Sequence, residues 1–361
     1  MSHKEQSMLS KDISLRPTYK KSLQSLMLLT VLVACNDDND NEASPNPNPQ
    51  TVEVEEEKSN EVVGEVNTTE TGNPNTPDNL VINIENFYPE GITQDSSGNF
   101  YISSLGTASV AKVNQGNDNA EPFIAPGTIE GTAVGIHYSE NSETLYVCGS
   151  DLTGTFPSAV YLFNLDGDLQ GKLPLEGGGF CNDLTEDSDG NVYISDSFQG
   201  RVLKIEANTQ NLSTWAQDAS WLSSNPEVPL SLNGLSYNPD ENSIYVGRID
   251  LNELYHIKLN DDGTAGEVET FQIPGVIDGL KYNEEGSLYA VLNLSEFVEL
   301  KFADGAWTSR VISNELEEPA TFVIDENNNA WVTEARFTPL FDADPNTNSE
   351  APFKVKRVGI E

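Results

Sequence analysis

From residue 90 onward the chain alternates apolar and polar positions in short runs, each broken by a turn rich in Gly, Asn, Asp and Ser. Six run-turn-run units stand out: EGITQDSSGNFYIS from Glu90, VGIHYSENSETLYVC from Val134, NDLTEDSDGNVYIS from Asn182, NGLSYNPDENSIYVG from Asn233, DGLKYNEEGSLYAV from Asp278 and ATFVIDENNNAWVT from Ala320. A period of two predicts strands, and the turn chemistry between paired runs predicts tight hairpins. One aromatic recurs in every second run: Tyr101, Tyr146, Tyr193, Tyr245, Tyr289 and Trp331.

The unit starts lie 44, 48, 51, 45 and 42 residues apart. A period of that size, holding a hairpin plus further alternating segments such as Arg201–Ile205, is the signature of a four-stranded propeller blade. Six copies predict an all-β, six-bladed β-propeller over residues 80–361. The last copy has strand-like runs near 320–325, 329–333 and 353–358 but no fourth. The run beginning at Leu80 has no hairpin partner of its own. Pairing of residues 80–86 with Phe353–Val358 would close the ring and leave no long edge exposed.

The first 34 residues read as a signal rather than fold. Lys20-Lys21 precede an apolar run ending Leu32-Val33-Ala34-Cys35, and small residues ahead of a single Cys fit a bacterial lipoprotein signal peptide with lipidation at Cys35. Residues 36–79 carry twelve Asp/Glu against one Lys, with many Asn, Pro and Thr. That composition cannot supply a core and predicts a disordered acidic tether. The run Asn36-Asp37-Asp38-Asn39-Asp40 resembles the acidic start of outer-membrane and surface lipoproteins of Bacteroidetes-type bacteria. The expected location is the bacterial cell envelope, lipid-anchored at the outer membrane, on either face, with the anchor as the sole membrane contact.

The formal net charge is −39, which repels phosphate backbones and excludes nucleic acid as a partner. It also favours divalent cations, although adaptation to salt explains bulk charge without placing a metal. Beyond Cys35 there remain Cys148 and Cys181. A disulfide between them is geometrically conceivable, but a domain of this size has ample core without staples, so two buried free thiols are expected. His137 and His256 lie in strands of different blades and are expected to be structural, which leaves no Ser-His-Asp triad and no His-ligated zinc site.

In a propeller the first strand of every blade lines the central channel. The six equivalent positions are therefore expected to converge: Glu90, Val134, Asn182, Asn233, Asp278 and Ala320. Two carboxylates and two amides, without His or Cys, form the ligand set of a hard cation, with Ca²⁺ first and Mg²⁺, Mn²⁺ or Zn²⁺ as alternatives. Strand-initiating turns also favour Asn and Asp. They explain neither Glu90 nor the shared register.

These motifs resemble the regucalcin/gluconolactonase/luciferin-regenerating-enzyme family (SMP-30/gluconolactonase-like) of six-bladed propellers. The resemblance spans about residues 80–361 and rests on Glu90-Gly91, Asn182-Asp183, Asn233-Gly234 and Asp278-Gly279, in order and blade. It implies that Glu90, Asn182, Asn233 and Asp278 hold one divalent metal and that Asp278 doubles as general base on a small-molecule lactone or ester. Where animal sugar-lactonases carry Arg two residues before the blade-3 Asn, this chain has Phe180, and Glu90-Gly91 is followed by Ile92-Thr93 rather than Pro and an aromatic. An Arg would grip hydroxyls or a carboxylate; Phe180 offers an apolar wall, which argues against a plain aldonolactone. Pocket walls are expected from the loops carrying Phe156, Trp221, Phe337 and Phe341, with Phe180 and Trp221 as substrate contacts. Two functions follow: a metal-dependent lactonase or esterase, or a non-catalytic envelope propeller that binds a ligand or a protein.

Overall fold

Each run-turn-run unit forms the first two strands of a four-stranded antiparallel sheet, and six such sheets make up the propeller. The computed structural model describes residues 77–360 apart from 153–154, 208, 226–228, 284 and 342–349. The expected signal peptide, Cys35 and nearly all of the expected tether lie outside the described residues.

Blade 1 runs outward from the axis as Pro89–Gln94, Phe100–Ser104, Val110–Val113 and Glu121–Ile124. Blades 2 to 5 repeat this order with inner strands Thr132–Ser139, Cys181–Glu186, Leu232–Asn238 and Ile277–Tyr282. Blade 6 is sewn from both ends of the domain. Pro319–Ile324, Asn329–Glu334 and Phe353–Gly359 are joined on the outside by Asn79–Ile82, with Leu80 opposite Val355 and Ile82 opposite Phe353. The closing strand stops at Ile82 rather than running to residue 86. Asn86 and Tyr88 adopt left-handed φ of 57° and 47°, which ends the extended run so that the chain can turn into the inner strand of blade 1.

Second strands such as Phe100–Ser104 and Val192–Asp196 are buried throughout, whereas the outer strand Leu169–Pro174 is largely exposed. The core is therefore the set of seams between neighbouring blades. The recurring aromatics fill those seams and explain a spacing in the sequence. Asp95, Asp187 and Asp325 each close their own hairpin turn by accepting from the backbone N–H four residues on, at 2.8–2.9 Å. The second carboxylate oxygen then accepts from the buried Tyr101 hydroxyl (3.0 Å), the Tyr193 hydroxyl (2.9 Å) or the Trp331 indole N–H (2.8 Å). One carboxylate thus satisfies a turn and the polar atom of a buried ring.

Cys148 and Cys181 form a disulfide, with Cα atoms 5.2 Å apart, where free thiols were expected. One lies on the second strand of blade 2 and the other opens the inner strand of blade 3, so the seam brings them face to face. Core size says nothing about that proximity. A crosslink closing a 33-residue separation is worth about 4 kcal/mol by loop entropy. His137 pairs with Glu186 at 2.9 Å, and His256 stacks on Tyr245 with ring centroids 4.7 Å apart.

Candidate functional site

All six inner strands share one irregularity near their starts. The register of each first hairpin shifts between Pro89 and Ile92, Ala133 and Ile136, Cys181 and Leu184, Leu232 and Leu235, Ile277 and Leu280, and Pro319 and Phe322. The two residues inside each bulge are the dipeptides singled out by the sequence. A bulge re-aims a side chain and frees backbone groups from the ladder. The freed N–H groups of Gly91, Asp183 and Thr321 are taken up by Ser103 (2.8 Å), Ser195 (3.1 Å) and Thr333 (3.1 Å) on the adjoining strands. Glycine follows Glu90 and Asn233 for a steric reason: a Cβ at residue 91 would stand 2.6 Å from the Val134 carbonyl oxygen, and one at residue 234 only 2.2 Å from that of Asp278. Inner strands can approach the axis this closely only without a side chain there.

The bulges bring Glu90, Asn182, Asn233 and Asp278 to one cavity of about 110 Å³, together with Val134. Its walls are apolar, with Leu105, Leu152, Phe180, Ile249, Leu294 and Phe337 prominent among them. The polar side chains form an acceptor-rich floor. Asn233 Nδ2 donates to Asp278 Oδ1 at 3.0 Å and Asn182 Nδ2 donates to Ser197 Oγ at 3.0 Å, so the amide oxygens are the atoms left for a ligand. Glu90 Oε2 is buried and has no hydrogen-bond partner.

Charge on this floor is costly. Burial, the Asp278 and Asp183 carboxylates and, in the opposite sense, the Lys281 ammonium act on Glu90, and its carboxyl lies well above the usual range. Burial also pushes Asp278 from 3.8 up to about 7, with the Asn233 donor opposing and Asp183 reinforcing the rise. Asp183 sits at the second bulge position of blade 3, where blades 1, 2, 4 and 5 have glycine. Its carboxylate spans to Lys281 Nζ at 3.4 Å and accepts from the Leu235 N–H at 3.4 Å. An ion pair therefore lies beside the floor.

Buried acceptors in excess of donors, one of them orphaned, are what a hard cation satisfies. Among the described residues no group of three or more His, Cys, Asp and Glu is placed to hold a metal ion. A cation at this floor would rest on two carboxylates and two amide oxygens. Those residues fit it.

Phe180 lines the cavity beside Asn182, and Phe337 and Phe341 form part of its wall. Phe156 is 44% exposed. Trp221 does not join the lining residues: it stacks on Tyr255 with centroids 5.1 Å apart and packs in the core shared by blades 3 and 4. The loop that carries it folds back on its own seam, where Asp218 caps the short helix Ala219–Trp221. Sequence reasoning had Asp183 only as the second residue of the blade-3 motif and missed its ion pair with Lys281, along with the wall residues Leu105, Leu152, Ile249 and Leu294. A signal for the walls exists, because a large apolar residue stands within three positions of the end of the second strand in every blade.

No protein-family model matches the chain, and no curated protein matches it. Similarity emerges at the level of solved structures. The allergen Mala s 1 from Malassezia sympodialis is 13% identical, with a TM-score of 0.58 over 78% of this chain and 96% of that one. A gluconolactonase from Xanthomonas campestris is 15% identical, with a TM-score of 0.54 over 76% of this chain and 87% of that one. A luciferin-regenerating enzyme is 12% identical, with a TM-score of 0.55 over 78% of this chain and 95% of that one. At such identities the likeness is one of fold. The chain folds as an SMP-30/gluconolactonase-like six-bladed β-propeller.

Proposed function

We propose that this propeller is a divalent-cation-dependent hydrolase of lactones or esters. The observation that carries the reading is the convergence of Glu90, Asn182, Asn233 and Asp278, with an orphaned Glu90 oxygen, at the floor of an apolar cavity. These four residues would hold one cation, Ca²⁺ in the first place. When bound, it supplies Lewis acidity toward a carbonyl oxygen.

Asp278 is the proposed general base. Asn233 Nδ2 fixes one of its oxygens, leaving the other to take a proton from water as the water oxygen bonds to the carbonyl carbon. The same proton then passes to the alkoxide released when the carbon–oxygen single bond breaks, so a lactone yields a hydroxy acid. The apolar walls hold the acyl part and keep bulk water from the floor. The fold's likeness to gluconolactonases supports this chemistry by analogy. The Cys148–Cys181 disulfide supports an oxidising compartment and hence the envelope location.

Calorimetric titration of chelator-treated protein with Ca²⁺, Mn²⁺ and Zn²⁺ should give one saturable site that Glu90→Gln/Asp278→Asn removes. Metallated wild-type protein should turn over members of a lactone and aryl-ester panel. Cation binding without any turnover would hand the site to the non-catalytic binding reading.

A further inference from the structure

We infer that the ligand of this site is a small, uncharged, alkyl-substituted lactone or ester rather than a polyhydroxylated one, an inference that rests on the hydrolase reading only for the word hydrolysis. A ring of apolar residues recurs blade by blade around the cavity. Within three residues after the second strand the six blades place Leu105, Leu152, Phe198, Ile249, Leu294 and Phe337. Five of these line the cavity. The sixth, Phe198, packs behind Phe180 with ring centroids 5.1 Å apart.

A second set comes from the segments leading into the inner strands: Phe180, Leu230 and Val276. Among the described residues lining the cavity there is no Lys, no Arg and no hydroxyl-bearing side chain, and every polar one is a member of the floor quartet. A ligand therefore has one place for its polar group. Arg336, next to Phe337, does not line the cavity; its guanidinium lies over the Phe353 ring at 4.4 Å and donates to the Glu350 carbonyl at 2.5 Å. Leu294 holds a left-handed φ of 51° beside Asn293 at 55°, the conformation that the tight turn between Leu288–Leu292 and Glu296–Ala303 requires.

Phe180 is itself held in the wall from behind. Its N–H donates to Asp196 Oδ1 at 2.8 Å, Asp196 is fully buried and pairs with Arg201 Nε at 2.8 Å, and a Cβ at Gly179 would meet that carboxylate at 2.2 Å. This packing fixes an apolar ring beside the floor. A hydroxylated lactone would press its hydroxyls against this collar without partners, whereas an alkyl substituent would exchange water for side chains. A short alkyl substituent fills the cavity of about 110 Å³, and a longer one would extend toward its open side.

The test is a substrate series on the full, Ca²⁺-loaded protein, paired with a binding measurement that needs no turnover. Along γ-butyrolactone, γ-valerolactone and γ-hexalactone, kcat/KM should rise about fourfold per methylene until the cavity is full. Glucono-δ-lactone should fall about 100-fold or more below δ-valerolactone. Phe180→Arg should shrink that gap, while Phe180→Leu, which keeps the wall apolar and controls for folding, should preserve it. In thermal-shift titrations cyclohexanone should stabilise the protein and myo-inositol should not. Equal or faster hydrolysis of glucono-δ-lactone would overturn the inference and leave the hydrolase reading standing. No hydrolysis of any lactone, with stabilisation by cyclohexanone alone, would support the apolar ligand class and sink the hydrolase reading. Stabilisation by myo-inositol alone, or by neither compound in the absence of turnover, would overturn the inference.

Discussion

Replacing Asp278 by Asn should stabilise the cation-free protein at pH 8, even though it removes a central group of the site. In the folded chain burial raises this carboxyl from 3.8 to about 7. Between those values the folded protein holds a proton that the unfolded chain has released, so raising the pH favours unfolding. The associated stability is fully present below about pH 3.8, is lost through the window, and is gone above about pH 7. At about 1.4 kcal/mol per pH unit, the ceiling of the penalty is about 4 kcal/mol. Asp278 is partly exposed to the cavity, and water reaching it lowers the desolvation cost, so a difference of about 2–3 kcal/mol is expected. Asn carries no such charge. The assay is urea unfolding in chelator from pH 4 to pH 8, reading the stability of the variant minus that of wild type. The difference should grow steadily with pH and level off above neutrality. A difference independent of pH would refute the burial argument. Saturating Ca²⁺ should reverse the order, because wild type gains about 4 kcal/mol at a thousand times Kd and the variant has lost a ligand.

The same raised carboxyls, Glu90 and Asp278, make cation binding compete with protons, so Ca²⁺ affinity by calorimetry should weaken as the pH falls below about 7. Cys148→Ser/Cys181→Ser should lower unfolding stability by about 2–4 kcal/mol, and thiol labelling of denatured, unreduced mature protein should find neither cysteine free. Gly234→Ala forces a Cβ to within 2.2 Å of the Asp278 carbonyl oxygen and should weaken cation binding and stability together, whereas Gly305→Ala, with open space around its Cβ but φ of 82°, should cost only the local backbone strain. Mass spectrometry of the membrane fraction should find a diacylglyceryl-modified N-terminus at Cys35, and cleavage elsewhere with soluble mature protein would contradict the anchor.

Much of the architecture was legible because it depends on local, repeated information. A hairpin with period-two runs, turn residues and one aromatic is encoded within about fifteen residues, and the same unit recurs often enough to count blades. Closure was legible for the complementary reason: Leu80 begins a strand without a partner and Phe353 begins one short of its blade. The floor quartet was legible because equivalent positions in a ring must converge. Trp221 misled because an aromatic in a loop beside the channel can pack either way, and only the position of Tyr255 decides it. Asp183 was legible only as part of the blade-3 motif, because its reach to Lys281 crosses from blade 3 to blade 5.

The sequence by itself determined the strand pattern, the number of blades, the strand that closes the ring and the identity of the residues at the channel mouth, since each follows from spacing along one chain. Tertiary structure alone decided the rest. The bulge at each inner strand is a matter of pairing within one hairpin, whereas the approach of neighbouring backbones that makes Gly91 and Gly234 obligatory, the Cys148–Cys181 bond and the apolar collar arise from contacts between blades dozens of residues apart. Those contacts set the burial that raises the Glu90 and Asp278 carboxyls, and burial is a property of the surroundings that no residue carries in its own name.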